Sequence, residues 1–274
     1  MSVVNLTRPI REGSAAGRVL PWETPYRTEP IATLEHNGAN LFFIEMSPAA
    51  STRLVGRRIA DAGAPSTRDV DPALLLNRPA TVVPLPAQAG ESITAAAVRS
   101  ALAAAEPRRG DALVLVTGWG DRDHEDFSDS YVLDAPGFDA EAVTALTEAA
   151  RDGGHTLILT DVPYLAGPGG ETVRREWVTA EPWHRPSWPS PNAKAYLEHY
   201  GPAKVSADWG PLLALLDEAW LVFGLVGCAQ MAAGHAFVTV APLQVDDAGE
   251  APCTVVAWAD GSSERSTQSA HQGG

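Results

Sequence analysis

Gly110-Asp111-Ala112-Leu113-Val114-Leu115-Val116-Thr117-Gly118-Trp119 is the stretch from which the rest of the chain can be read. Its apolar run from Ala112 to Val116 is short, contains β-branched residues and is bounded by glycines, the pattern of a buried strand. Upstream, Ala95 to Ala105 reads as a helix with Thr94 as N-cap and Pro107 closing it. Downstream, Ala140 to Arg151 reads as a helix capped by Asp139 and stopped by Gly153 and Gly154. Further strands are predicted at Leu41 to Met46, Ala80 to Leu85, Thr156 to Thr160, Ala236 to Val240 and Cys253 to Trp258, with a shorter helix over Pro211 to Asp217. Strands alternating with helices in the middle, then strands at hairpin-like spacing, predict a mixed α/β domain rather than a sandwich or a bundle.

The chain has 274 residues, 45% of them hydrophobic, enough to bury its own core. Its 34 acidic and 20 basic residues give a formal charge of -14, a field that repels nucleic acid. No stretch reaches the ~20 consecutive apolar residues of a membrane span. The start, MSVVNLTRPIREG, lacks the basic-then-apolar order of a signal peptide, so a cytoplasmic protein is expected. Cys228 and Cys253 lie in apolar surroundings and read as core residues, not as a disulfide or zinc ligands. Residues 261–274, GSSERSTQSAHQGG, are too polar to offset their ordering entropy and read as a disordered tail after a domain spanning residues 1–260. Prolines, glycines and Trp177, Trp183, Trp188 and Trp209 crowd into the connection from Pro163 to Trp209, and a connection that long is usually functional.

Five blocks in register resemble the cyclase family that includes the bacterial kynurenine formamidases. Asn5-Leu6-Thr7-Arg8-Pro9-Ile10 is similar to that family's first strand, and Glu29 to Leu34 with Gly38-Ala39-Asn40 to its second block. Gly110 to Trp119 is similar to its G-D-x-V-L-[LI]-R-T-G-W, Leu159 to Pro163 to its G-[IV]-D-[TS]-P, and Phe237 to Leu243 to its F-x-L-x-A-L-P-L. The resemblance implies a single mixed α/β domain of the swivelling β/β/α type with a long Trp/Pro-rich loop, assembled as a homodimer or homotetramer.

The same family carries H-x-G-T-H-x-D-x-P-x-H, whose imidazoles and carboxylate hold a divalent metal that acidifies water for hydrolysis. Here the run from Ser47 reads Ser-Pro-Ala-Ala-Ser-Thr-Arg-Leu-Val-Gly-Arg-Arg-Ile. Aligned without gaps, the histidine positions become Ala49, Arg53 and Ile59 and the aspartate position becomes Val55. The later family ligands fall near Trp209 to Leu213 and Phe223 to Val226, stretches with neither histidine nor glutamate. Guanidinium groups do not deprotonate to bind a metal, and Arg53, Arg57 and Arg58 repel one. The expectation is a chain with neither metal nor other cofactor.

Arg53 is the leading candidate for a catalytic group. Pointing inward, its planar fork of donors suits a carboxylate, enolate or phenolate oxygen; turned outward, it pairs with a surface acid. His124, in the acidic run after the Gly110 to Trp119 strand, has neighbours that favour its protonated form, suited to a general acid. Tyr164 and His184 complete the catalytic candidates. Trp119, Trp183 and Trp188 are candidate walls for a flat aromatic substrate, and Asp161 either contacts substrate or orients a neighbouring loop. His199 and His235 read as ordinary, the latter in a turn before a strand.

Alanine, arginine and glycine dominate while Lys194 and Lys204 are the only lysines, the usage of GC-rich bacterial genomes. In such organisms relatives of this family serve aromatic polyketide and other secondary pathways. The reading is therefore a metal-independent tailoring enzyme that cyclises, dehydrates, rearranges or opens a bulky aromatic substrate. Two alternatives stand beside it. One is hydrolysis of an amide or lactone, for which no G-x-S-x-G nucleophile elbow is visible. The other is a non-catalytic module that binds a ligand or assists a partner oxygenase.

Overall fold

A computed structural model describes residues 3–11, 26–48, 51–122, 129–165 and 210–259. Among these described residues twelve strands fall in chain order: β1 Val3–Asn5, β2 Arg27–Ala32, β3 Leu41–Glu45, β4 Arg53–Val55, β5 Arg78–Pro84, β6 Ser92–Ile93, β7 Ala112–Val116, β8 Gly137–Phe138, β9 Leu157–Thr160, β10 Trp220–Phe223, β11 Gly234–Pro242 and β12 Glu250–Ala259. The α-helices are α1 Leu34–Asn37, α2 Ala95–Ala105, α3 Asp129–Leu133, α4 Ala140–Gly153 and α5 Gly210–Glu218. The result is the mixed α/β domain expected, with a barrel-like sheet.

An eight-stranded sheet runs in the order β1-β12-β11-β5-β7-β9-β10-β4, and a further pairing of β12 with β4 closes all of it except β1 into a ring. β5, β7, β9 and β10 are parallel neighbours, joined by crossovers that include α2, α4 and α5, while β4, β11 and β12 run antiparallel to the strands beside them. Alternation along each strand supplies two cores. Leu113, Leu115, Ile158, Leu221 and Phe223 face the helices, meeting Val98 of α2, Leu146 of α4 and Leu215 of α5. Val114, Leu157, Leu159 and Val222 face the other way, and with Leu54, Val238, Val240 and Val255 they fill the interior of the ring.

The helices begin where capping chemistry placed them. Thr94 Oγ1 accepts from Ala97 N at 3.3 Å, and Asp139 Oδ1 accepts from Ala142 N at 2.7 Å. α2 ends at Ala105 because a residue preceding proline avoids the right-handed helical region; Glu106, before Pro107, takes φ 48° and closes the helix in the left-handed region. α4 closes on Gly154 at φ 67°. Cys228 and Cys253 are free and buried, and burial pushes the Cys253 thiol up to about 12, consistent with the core reading.

Several elements were not anticipated. β4 is only three residues long and β10 begins on a tryptophan, so neither carries a readable alternation. His235 lies within β11 rather than in a turn before it, its Nδ1 3.7 Å from Asp111 Oδ2. The tail at 261–274 and nearly all of the Pro163 to Trp209 connection lie outside the described residues. No helix among the described residues is long and apolar enough to cross a membrane.

Leu159 is fully buried at the centre of the parallel strands. Leu159→Ala is expected to lower unfolding free energy by about 2–5 kcal/mol in urea titrations. An effect below about 1 kcal/mol would be incompatible with the closed interior.

Candidate functional site

Parallel strands in α/β folds gather functional groups beyond their carboxyl ends, and β7, β9 and β10 do so here. β7 leads into Thr117-Gly118-Trp119-Gly120, β9 into Asp161-Val162-Pro163-Tyr164, and β10 into Gly224-Leu225. β4 lies antiparallel to β10 with Arg53 opposite Phe223, which brings the first position of β4 to the same end. The segment after β1 joins them: Arg8 N donates to Thr52 Oγ1 at 2.8 Å, Thr52 Oγ1 donates to Gly224 O at 2.7 Å, and Ser51 Oγ donates to Arg8 O.

Arg53 is buried, its side chain 11% exposed. Its Nη2 donates to Pro163 O at 2.9 Å, its Nε lies 3.3 Å from Glu250 Oε2, and its guanidinium carbon sits 5.3 Å from the centre of the Phe223 ring. The inward and the paired readings thus coincide, because the acid that Arg53 meets is a half-buried one on β12. Arg57 and Arg58 instead turn outward, to Asp217 and Asp247 respectively. Their distance from Arg53 in sequence is small, but the 3-10 turn Arg57–Ile59 breaks the strand alternation.

A second guanidinium, which sequence reasoning missed as a functional group, is that of Arg8. It is 4% exposed, stacks over the Tyr131 ring at 3.7 Å and donates through Nη2 to Gly120 O at 3.2 Å. Tyr131 of α3 was also missed; it is buried, and its hydroxyl donates to Asp161 O at 3.1 Å. Arg8 belongs to the first block of the family resemblance, so its place there was the available signal. Tyr131 had none, since a five-residue helix is too short to show a period.

Asp161 is fully buried at the centre of this framework. Its Oδ1 accepts from Thr117 N at 2.9 Å and Thr117 Oγ1 at 2.7 Å, and its Oδ2 accepts from Gly120 N at 3.4 Å. These bonds tie the loop after β7 to the end of β9. Burial raises the carboxyl above its ordinary range, and the bonds from Thr117 and Gly120 oppose that shift. The loop is packed so closely that a Cβ on Gly120 would lie 2.1 Å from Leu225 O and 2.9 Å from Asp161 Cβ.

Trp119 is buried with its indole Nε1 donating to Tyr131 O at 2.8 Å, while the guanidinium of Arg122 lies 5.7 Å from its ring centre. Its role in this geometry is to fix α3 and so to aim Tyr131. Tyr164 donates its hydroxyl proton to Val132 O, and burial pushes the hydroxyls of both Tyr131 and Tyr164 well up. Both phenols therefore stay neutral near pH 7 with their protons directed at backbone carbonyls, which fits them to pack and accept rather than to act as bases. The structure brings Arg53, Trp119, Asp161 and Tyr164 together. His124, His184, Trp183 and Trp188 lie outside the described residues, as do Ala49 and His199.

A divalent metal does not fit this set of described residues. Among them no group of three or more His, Cys, Asp or Glu side chains is placed to hold a metal ion. The Asp161 carboxylate has both oxygens engaged, Glu250 is paired with Arg53, and two guanidinium charges flank the Tyr131 ring and the Pro163 carbonyl.

Comparison with known proteins is consistent with this fold. The cyclase family model matches residues 4–163. Isatin hydrolase A from Labrenzia aggregata, solved with benzyl benzoate, is 17% identical, with a TM-score of 0.65 over 94% of this chain and 93% of that one. Isatin hydrolase A from Ralstonia solanacearum is 15% identical, with a TM-score of 0.66 over 94% of this chain and 92% of that one. A protein of Bacillus stearothermophilus described as a predicted metal-dependent hydrolase is 17% identical, with a TM-score of 0.58 over 93% and 97% of the two chains. Identities this low establish a common fold. No curated protein sequence gives a significant match.

The Asp161 geometry sets the sign of a pH effect. A carboxyl raised above its unfolded value favours the folded state below the ordinary carboxylate range, and this contribution is lost as pH rises through the folded pKa. Thr117→Val removes one donor to the ionised form and raises the pKa further. The variant is expected to lose about 1–3 kcal/mol at pH 7 and clearly less near pH 4, measured by urea unfolding at both. An equal loss at the two pH values would show that the hydroxyl does not bear on the charge.

Proposed function

Because the chain belongs to the cyclase family while its described site presents guanidinium and phenol groups instead of a metal-ligand set, we propose that it is a metal-independent enzyme acting on an acidic aromatic substrate. The observation that carries the proposal is the buried guanidinium of Arg53 at the position aligned with a metal-binding histidine. A fixed donor in a water-poor site stabilises developing negative charge without reorganising when the charge forms. Pro163 O accepts from Nη2, and the Glu250 carboxylate balances the charge from 3.3 Å without a hydrogen bond to Nε; in this proposal Nη1, which neither contact uses, meets an incoming enolate, phenolate or carboxylate oxygen. Phe223 supports the guanidinium from beneath through its ring face.

The reactions that suit such a site are cyclisation, dehydration, ring rearrangement or ring opening of a polyketide-like compound in a secondary pathway. Routes to such products that pass through an enolate or phenolate gain from the Nη1 donor. Tyr131 and Tyr164, neutral and bonded to carbonyls, shape the site; the proton-moving roles in this proposal belong to His124 and His184, with Trp183 and Trp188 as aromatic walls. The hydrolytic alternative draws on the fold shared with the isatin hydrolases and has no further support in the described residues.

One observation favours a second reading, a module that binds its ligand without transforming it. The acid and the two phenols of the cluster are committed to the protein itself, Asp161 accepting from Thr117 and Gly120 and Tyr131 and Tyr164 donating to backbone carbonyls, which leaves these three groups to build the site rather than to move a proton.

Elemental analysis of the purified protein is expected to find zinc, manganese and iron far below one atom per chain; one tightly bound metal per chain would refute metal independence. 2-Naphthoate, followed by tryptophan fluorescence, is expected to bind and to lose roughly ten- to hundredfold in affinity in Arg53→Ala, as loss of a charged hydrogen bond requires. Unchanged affinity in a folded variant would remove Arg53 from the site under either reading. Turnover of a pathway substrate abolished in the same variant separates the enzyme from the binding module.

A further inference from the structure

Arg53 and Glu250 are in contact by charge and not by hydrogen bond. Glu250 Oε2 lies 3.3 Å from Arg53 Nε, yet Nε is buried with no hydrogen-bond partner among the described residues. Arg151 shows the closed alternative, its Nε donating to Glu218 Oε1 at 2.8 Å. Among the described residues no donor bonds the Glu250 carboxylate either, and its side chain is 31% exposed. A buried donor and a half-buried acceptor that lie side by side without bonding are an uncommon arrangement, because each forgoes a stabilising partner.

The backbone that presents this acid is fixed. Gly249 O accepts from Gly56 N at 2.8 Å, and Gly249 is packed so closely against the 3-10 turn that a Cβ there would lie 2.3 Å from Ile59 N. Adjustment is left to the Glu250 side chain, beside a guanidinium already anchored by Pro163 O and by the ring of Phe223. A ligand arriving at Arg53 therefore meets donor N–H groups and a carboxylate acceptor together.

We propose that Glu250 decides which ligands Arg53 accepts, selecting a phenol or enol hydroxyl over a carboxylate. This selection rests on Arg53 meeting a substrate oxygen, as proposed above, and narrows the three oxygens that a guanidinium alone accommodates. A hydroxyl on an unsaturated carbon both accepts and donates. Its oxygen accepts from Arg53 Nη1 while its O–H donates to Glu250, which so gains the donor that Arg53 does not give it. A carboxylate at neutral pH has acceptors only, so it satisfies Arg53 but sets like charge against Glu250 with no donor in exchange.

Charge balance gives the same order. Arg53 and Glu250 together are neutral, and a neutral hydroxyl leaves them so. A bound carboxylate would leave one net negative charge at a half-buried place in a chain that already carries -14. Glu250 is thus a specificity-determining residue that disfavours the very ligands an unaccompanied guanidinium would hold most tightly.

Calorimetric titration of the full-length protein at pH 7 with 2-naphthol and 2-naphthoate compares one ring system carrying either group. The ratio of the two affinities, naphthol over naphthoate, is expected to fall roughly tenfold or more in Glu250→Gln, as naphthoate escapes repulsion and naphthol loses its charged acceptor. Glu250→Ala should move the ratio in the same direction and takes the place of the glutamine variant if that one does not fold, as judged by near-ultraviolet dichroism. A merely structural role would weaken both ligands together and leave the ratio where it was. An unchanged ratio in a folded Glu250 variant, with Arg53→Ala still weakening both ligands, would overturn the role of Glu250 alone. If Arg53→Ala weakens neither ligand, the role of Arg53 falls and that of Glu250 falls with it.

Discussion

The hydrogen bonds of β4 hold the molecule in its present form. This three-residue strand pairs with β10 on one side and with β12 on the other, and without it the sheet would be an open one ending at β10. Its middle residue, Leu54, fills the ring, while Val55 faces the helices, so its short length still serves both cores. The residues just before it, Ser51 and Thr52, fasten the segment after β1 and the turn after β10 through their hydroxyls. Arg53 is therefore carried on the element that completes the fold, and its orientation is set by closure itself.

That placement puts a permanent charge inside the fold. An imidazole exchanged for an arginine introduces a permanent positive charge that burial would make costly unless it is compensated. Compensation is visible: the Glu250 carboxylate at 3.3 Å, the Pro163 carbonyl and the face of Phe223. Arg8 is accommodated in a similar way by the Tyr131 ring and the Gly120 carbonyl. The site thus holds two compensated cations of its own, and the proposed preference for anionic ligands rests on them.

The parts legible in the sequence were those governed by local rules. α2 and α4 fall where Thr94, Asp139 and Gly154 dictate, and β7 occupies the predicted residues, because caps and buried runs act over a few neighbours. β4 was invisible as a strand, since three residues show no period and its pairing partners lie more than 150 positions away. Asp161 and Arg53 were legible through their positions in the family blocks. Arg8 lies in the first family block but was not singled out, and Tyr131 gave no signal, because their importance comes from stacking on each other across the fold, a relation that leaves no trace in spacing. The hairpin of β2 and β3, which lies outside the closed sheet, was half legible: Leu41 to Met46 reads as a strand, but the exposure of Leu41 to Ile44 can be seen only against the body it leaves uncovered.

Gly120 shows how the site is bounded as the family diverges. With space for a hydrogen only, wedged between the Leu225 carbonyl and Asp161, this joint admits no side chain, and its backbone carbonyl is committed to Arg8. Position 120, beneath Arg8, is thus closed to any side chain. New ligand preferences in descendants of this chain must come from the walls, such as α3 and the turn after β9, while this joint is inherited intact.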